Sequence, residues 1–205
     1  MKKYWWHDSK SNTAIFSFAL SVALIAASFL AVYIFGGSET ETPITIPGMP
    51  VVSGPIGLPD RLIIPSIGVN ALVQTVGIDS AGRMGIPTNF VDVAWYKLGP
   101  RPGESGSAVI DGHLDTAKDA NAVFINLSLL KSGDDIYILD KAGQRVHFRV
   151  TGKEVYNYDK APVEKIFDQG GKISRLNLVT CDGTWNQVAR NYSERLVVYS
   201  ERVLD

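Results

Sequence analysis

The sequence predicts an all-β outer domain with short helices, a closed barrel or a sandwich, behind a single N-terminal transmembrane helix. Three observations predict it. An uncharged run of 22 residues lies near the N-terminus, a Pro/Gly-rich stretch follows, and the remaining 146 residues form short β-rich runs between turn signals. Hydrophobic residues make 45% of the 205 and charged residues 20%, which excludes a disordered chain. The net charge is -1, so no broad basic field exists to hold nucleic acid. The single cysteine excludes an internal disulfide and any metal site with two thiolates, and the three histidines, at 7, 113 and 147, lie far apart.

Residues 14–35 read AIFSFALSVALIAASFLAVYIF. As a helix they span roughly 33 Å, enough for a hydrocarbon core of about 30 Å. The run is longer than the apolar core of a cleaved signal peptide, and Phe29, Val32, Tyr33, Ile34 and Phe35 continue past the small residues Ala26, Ala27 and Ser28. An uncleaved anchor is expected. Lys2, Lys3 and Lys10 precede it, and Glu39 and Glu41 follow. The positive-inside rule then puts residues 1–13 in the cytoplasm and everything beyond the helix outside the cell membrane. Residues 36–59 hold five of the ten prolines and five glycines, and read as an extended linker.

Residues 60–205 are expected to form one domain. Strand candidates are 61–65, 71–78, 107–111, 135–139, 146–156, 176–180 and 196–203. In 145–156, Val146, Phe148 and Val150 alternate with His147, Arg149 and Thr151, so His147 is expected to face solvent and be inert. Turn signals lie at 79–82, 103–106, 132–134 and 141–143, and short helices are expected at 123–130 and 162–167, the second with Pro162 in its first turn. No phosphate-binding glycine motif and no HExxH occurs.

Cys181 closes the apolar run Leu176–Cys181, and Asp182-Gly183-Thr184 signals a turn. An unpaired thiol outside a membrane is open to oxidation and invites a chemical explanation, and a small buried hydrophobe is the equal alternative on position alone. His113 ends a second apolar run, and Gly112 before it leaves room for close approach. An imidazole near a thiol can help form the thiolate and later protonate a leaving amine. An isolated histidine is otherwise a surface or core residue. Acyl transfer also needs a fixed donor for the carbonyl oxygen. Arg195, at the head of the last run, and Arg190, in the loop before it, are the candidates.

These residues resemble the sortases, the cysteine transpeptidases of bacterial cell surfaces. Leu178-Val179-Thr180-Cys181 is similar to the family's cysteine strand, and Asp111-Gly112-His113-Leu114-Asp115 to its histidine motif. Arg195-Leu196-Val197-Val198 is similar to its arginine strand. Ala94-Trp95-Tyr96, Gly99-Pro100 and Pro102-Gly103-Glu104 resemble the class E and F branches. The resemblance implies a closed eight-stranded β-barrel over residues 60–204. It implies that Cys181 attacks the Thr–Gly bond of an LPxTG-like sorting signal, with His113 as acid and base and Arg195 as carbonyl donor. Thr180 would help shape the peptide groove. The partners implied are surface proteins bearing that signal and an amine acceptor from a peptidoglycan precursor or a pilin. No cofactor and no metal are expected. A peptidase of the same fold that mainly hydrolyses, or a non-catalytic peptide-binding barrel, are the alternatives.

Overall fold

The computed structural model describes residues 57–115 and 122–204. The expected transmembrane helix and nearly all of the expected linker lie outside the described residues. Among the described residues no helix is long and apolar enough to cross a membrane.

Eight strands close into a barrel: β1 Pro59–Ile64, β2 Val69–Val76, β3 Val93–Tyr96, β4 Gly106–Gly112, β5 Asp135–Asp140, β6 Arg145–Asn157, β7 Ser174–Asn186 and β8 Asn191–Arg202. Their order around the barrel is β1-β2-β3-β4-β7-β8-β6-β5, and β5 returns to β1 with Leu62 opposite Ile138. Two neighbouring pairs, β2–β3 and β4–β7, run parallel. β1 begins at Pro59, one residue before the expected boundary; the first residue of a strand tolerates a missing N–H. Side chains alternate across each strand. Leu62, Ile64, Trp95, Ala108, Ile110, Ile138, Val146, Phe148, Leu176, Leu178, Leu196 and Val198 fill the interior. Burying each large aliphatic or aromatic among them contributes about 1.5–3 kcal/mol.

Four local expectations change. β3 was not among the strand candidates; it has four residues, too few to show alternation, and pairing with β2 and β4 makes it a strand. Residues 123–130 form turns and a 3-10 turn, Leu127–Leu129, which Phe124, Leu127 and Leu130 anchor in the core. The second expected helix is a single turn, α1, Val163–Ile166. Asp182-Gly183-Thr184 is a bulge inside a long β7–β8 hairpin, not its end. Gly183 takes a φ of 79°, and a Cβ there would collide with the Ser193 hydroxyl. Pairing resumes beyond the bulge, where Trp185 packs edge-on against Tyr192 at 5.2 Å.

His147 does not face solvent. It is 8% exposed, its Nε2 donates to Asp135 Oδ1 at 2.8 Å, and its ring stacks on Tyr137 at 4.7 Å. The cause is cross-strand: β5 sets Tyr137 opposite His147 and Asp135 opposite Arg149, covering this part of the outer face. Burial alone would push the Asp135 carboxyl up, but hydrogen bonds from His147 and Arg149 outweigh it and hold the group below the usual carboxylate range.

On the outer face of β4, β7 and β8 a second apolar cluster forms. Val109, Val179 and Val197 come from the strands, and Ile166 and Phe167 from the segment around α1. Asn177, fully buried on β7, donates to the Ile166 carbonyl at 2.7 Å and pins that segment. Tyr96 meets the Phe167 ring edge-on at 5.3 Å. The aromatic of the Ala94-Trp95-Tyr96 motif therefore ties β3 to the same wall, while Trp95 Nε1 donates to the Pro100 carbonyl at 3.2 Å.

Candidate active site

Cys181 lies on β7 with Arg195 directly across the ladder on β8. Val179, two residues before Cys181, and Val197, two residues after Arg195, belong to the outer cluster, so alternation puts Cys181 and Arg195 on the outer face as well. Thr180 takes the inner face. It is fully buried, and its Oγ1 donates to the Gly112 carbonyl at 2.7 Å. The expected contact between Thr180 and a peptide does not fit this burial, because neighbours along a strand point to opposite faces. What Thr180 does is join β7 to the end of β4, one residue before His113.

The parallel β4–β7 register pairs Asp111 with Val179. Continued by the Thr180–Gly112 bond, it brings His113 level with Cys181. Gly112 is buried beneath the 122–124 segment: a Cβ there would sit 2.5 Å from the Phe124 ring and 2.9 Å from Val123 Cγ1. Only a hydrogen fits. Gly112→Ala is expected to destabilise the domain by about 1–3 kcal/mol and to displace His113; thermal unfolding with a parallel activity assay measures both.

His113 is partly buried. Its Nε2 lies 3.2 Å from the Pro87 carbonyl, and its ring lies against Phe90 at 4.8 Å. The Arg195 guanidinium is held by its own strand. Nη1 donates to the carbonyls of Tyr192, at 3.2 Å, and Glu194, at 2.7 Å, and Nη2 donates to Asn191 Oδ1 at 2.6 Å. A guanidinium has five N–H groups, so these bonds leave two for a further acceptor. Arg190 lies elsewhere: it is exposed at the hairpin tip with a φ of 49°, beyond the Asn186–Asn191 pair.

Burial pushes the Cys181 thiol up; Arg195 pulls it back, and Asp111 and Asp115 add to the rise. The net shift is upward, so the resting group is a protonated thiol. Tyr192 on β8 donates its hydroxyl to Asp115, which pushes the phenol up to about 12. Asp111 and Asp115 flank His113 in the sequence motif, yet neither had an expected role. Asn191, Tyr192, Pro87 and Phe90 carried no local signal at all, since only folding brings them here.

Asp111 shares the outward parity of Val109, and burial pushes its carboxyl to about 7 against the pull of Arg195. In the unfolded chain the same group ionises near 4. Between these values the folded protein keeps a proton that the unfolded chain has lost. Stability is therefore fully present below about pH 4 and falls as pH rises through 7. From pH 5 to 8 the loss is up to about 3 kcal/mol, two pKa units at roughly 1.4 kcal/mol each. Urea unfolding at both pH values should show that loss in the wild type and little of it in Asp111→Asn; equal losses in both would exclude Asp111 as its source.

A cavity of about 510 Å³, lined by Lys153, Glu164, Lys165, Asp168, Arg175 and Tyr199 among others, contains none of these groups. Its cations are engaged: Lys165 with Glu154, and Arg175 with Asp168 and Glu201. Cys181 and Arg195 lie instead on the β7–β8 ladder, and His113 lies just beyond the end of β4. Among the described residues no three His, Cys, Asp or Glu side chains group closely enough to hold a metal ion.

Solved structures similar to this barrel include several sortases. The chain is similar to sortase C-1 from Actinomyces oris, at 26% identity and a TM-score of 0.55 over 71% of this chain and 73% of that one. It is similar to a lid mutant of sortase A from Corynebacterium diphtheriae, at 25% identity and a TM-score of 0.55 over 73% and 72%. Sortase C1 from Streptococcus agalactiae, in complex with MTSET, shares the fold at 21% identity and a TM-score of 0.55 over 96% and 94%. No curated protein matches the chain. The Sortase domain family model matches residues 62–203, which runs from β1 to the end of β8. A match across the whole barrel, well over half of the chain, makes this protein a member of the sortase family.

Proposed function

We propose that this protein is a membrane-anchored cysteine transpeptidase. It cleaves an LPxTG-like sorting signal between Thr and Gly and transfers the acyl group to an amine of the cell wall or of a pilin. The observation that carries this reading is the pairing of Cys181 with Arg195 across the β7–β8 ladder, with the His113 strand in register on the other side of β7.

The chemistry follows from the groups. Cys181 rests as a thiol, so the thiolate forms as its proton passes to His113. The sulfur adds to the threonine carbonyl carbon, and the N–H groups of Arg195 not used by its own strand receive the developing oxyanion. The C–N bond then breaks, and His113 returns its proton to the departing glycine amine. The product is a thioester, which conserves the energy of the peptide bond. An incoming amine attacks the thioester, loses its proton to His113 and leaves as an amide, and the thiol re-forms. Two covalent half-reactions predict ping-pong kinetics.

The hydrophobic run at 14–35 supports anchoring, with residues 1–13 in the cytoplasm and the barrel outside. The class E or F assignment rests on the Ala94-Trp95-Tyr96 and Gly99-Pro100 stretch. The test is mass spectrometry of the full chain incubated with an LPxTG peptide, with and without a free amine. A thioacyl adduct on Cys181 that the amine converts to an amide supports transfer. Cleavage that ignores the amine would replace transfer with hydrolysis, and no adduct with any such peptide would overturn the substrate class.

A further inference from the structure

The β2–β3 connection contains more organisation than an exposed loop requires. Gln74, on β2, accepts from the Thr88 backbone N–H at 3.0 Å and its hydroxyl at 3.1 Å. Its amide nitrogen donates to Asp92 Oδ2 at 3.0 Å. Asn89 donates to the same carboxylate oxygen at 2.6 Å and accepts from the backbone of Val91 and Asp92. From the far side, Val123 N–H donates to the Phe90 carbonyl at 2.8 Å, and Phe124 N–H to the His113 carbonyl at 3.0 Å. Most of residues 88–92 are exposed, so water would satisfy these groups without any of the clamps. The segment is held in one place, and what it presents from that place is directed at His113.

Two contacts are presented. The Pro87 carbonyl lies 3.2 Å from His113 Nε2. A carbonyl oxygen only accepts, so Nε2 must carry the hydrogen. Phe90 remains 44% exposed, an apolar cost for a large ring, and its ring contact is the His113 imidazole. A histidine whose second nitrogen is committed to a fixed acceptor has a fixed tautomer and ring orientation.

We propose that residues 87–92, locked by Gln74, are a positioning cradle that holds His113 as the Nε2–H tautomer, so that Nδ1 is the nitrogen that exchanges protons during acyl transfer. Gln74 and Phe90 act through His113, as positioning residues. The inference rests on the acid–base role proposed for His113, but its tautomer claim does not depend on turnover.

The experiment is nitrogen-15 NMR of histidine-labelled full-length chain, with the His113 signals identified by their loss in His113→Gln. In the wild type the neutral ring should show a protonated Nε2 and an unprotonated Nδ1. Gln74→Ala and Phe90→Ala should mix the tautomers and lower kcat roughly ten- to a hundredfold with KM little changed, while Phe90→Tyr should retain both. A wild-type ring protonated on Nδ1 overturns the proposal, even if a variant fails to fold. So do unchanged ring signals in folded Gln74→Ala and Phe90→Ala. If the tautomer result holds but no thioester ever forms, the cradle stands and the proposed transpeptidation falls.

Discussion

Cys181→Ala is expected to abolish covalent capture of a sorting-signal peptide while the barrel still folds. The thioester requires the sulfur, and this chain has one cysteine, so no second thiol can substitute. Cys181 is only partly buried and pairs in no disulfide. The sulfur makes no part of the inner core, so its loss should cost the fold no more than about 1 kcal/mol. Intact-mass spectrometry after incubation with an LPxTG peptide should show an adduct in the wild type and none in the variant, with matching circular dichroism. An adduct, or continued cleavage, in Cys181→Ala would remove the thiol from the mechanism. A related expectation concerns pH. Because burial raises the thiol, with Asp111 and Asp115 adding to the rise, alkylation of the free enzyme should be slow at neutral pH and quicken in alkaline solution.

Arg195→Ala is expected to slow acylation by roughly 10²–10³, the usual cost of removing an oxyanion donor, while Arg190→Ala should stay within about twofold of wild type. The two arginines differ in everything but charge. Arg195 is paired with Cys181 across the ladder, and its guanidinium is fixed by Asn191 and by the carbonyls of Tyr192 and Glu194. Donors held in place cost no reorganisation when charge develops on the carbonyl oxygen. Its charge also lowers both the Cys181 thiol and the Asp111 carboxyl, so its loss makes the thiolate harder to form. Arg190 is exposed in a left-handed turn conformation with no such fixing. Arg195→Lys should recover only part of the rate, because a point charge replaces a planar fork. Single-turnover acylation with rapid quenching measures all three variants. A large loss in Arg190→Ala with little in Arg195→Ala would reverse the assignment.

Much of the site was legible because its signals are local. An apolar run ending in cysteine, an apolar run ending in Gly-His and an arginine heading a third apolar run carry their message in four or five residues each. The family resemblance favours Arg195, but residue type alone leaves Arg190 a competitor, since both lie near the start of the last strand. The β7–β8 register separates their positions: Arg195 stands opposite Cys181, while pairing resumes beyond the bulge and carries Arg190 out to the tip. Thr180 was misread for a simpler reason. Residues beside a nucleophile on a strand face the other way, and the hydroxyl went to Gly112. His147 was misread because alternation within β6 says nothing of what β5 lays over it.

The sequence by itself determined the class of fold and singled out Cys181, His113 and Arg195 as the candidate reactive groups, because hydrophobic period and short motifs are properties of neighbouring residues. Only the tertiary structure decided which side of the barrel they share. The parallel β4–β7 and β2–β3 pairings, the short strand β3, the half-buried Asp111 and the Gln74–Pro87–Phe90 cradle around His113 all depend on residues distant in the chain. Their contacts are set by strand order and register around a closed barrel, and no local pattern encodes those.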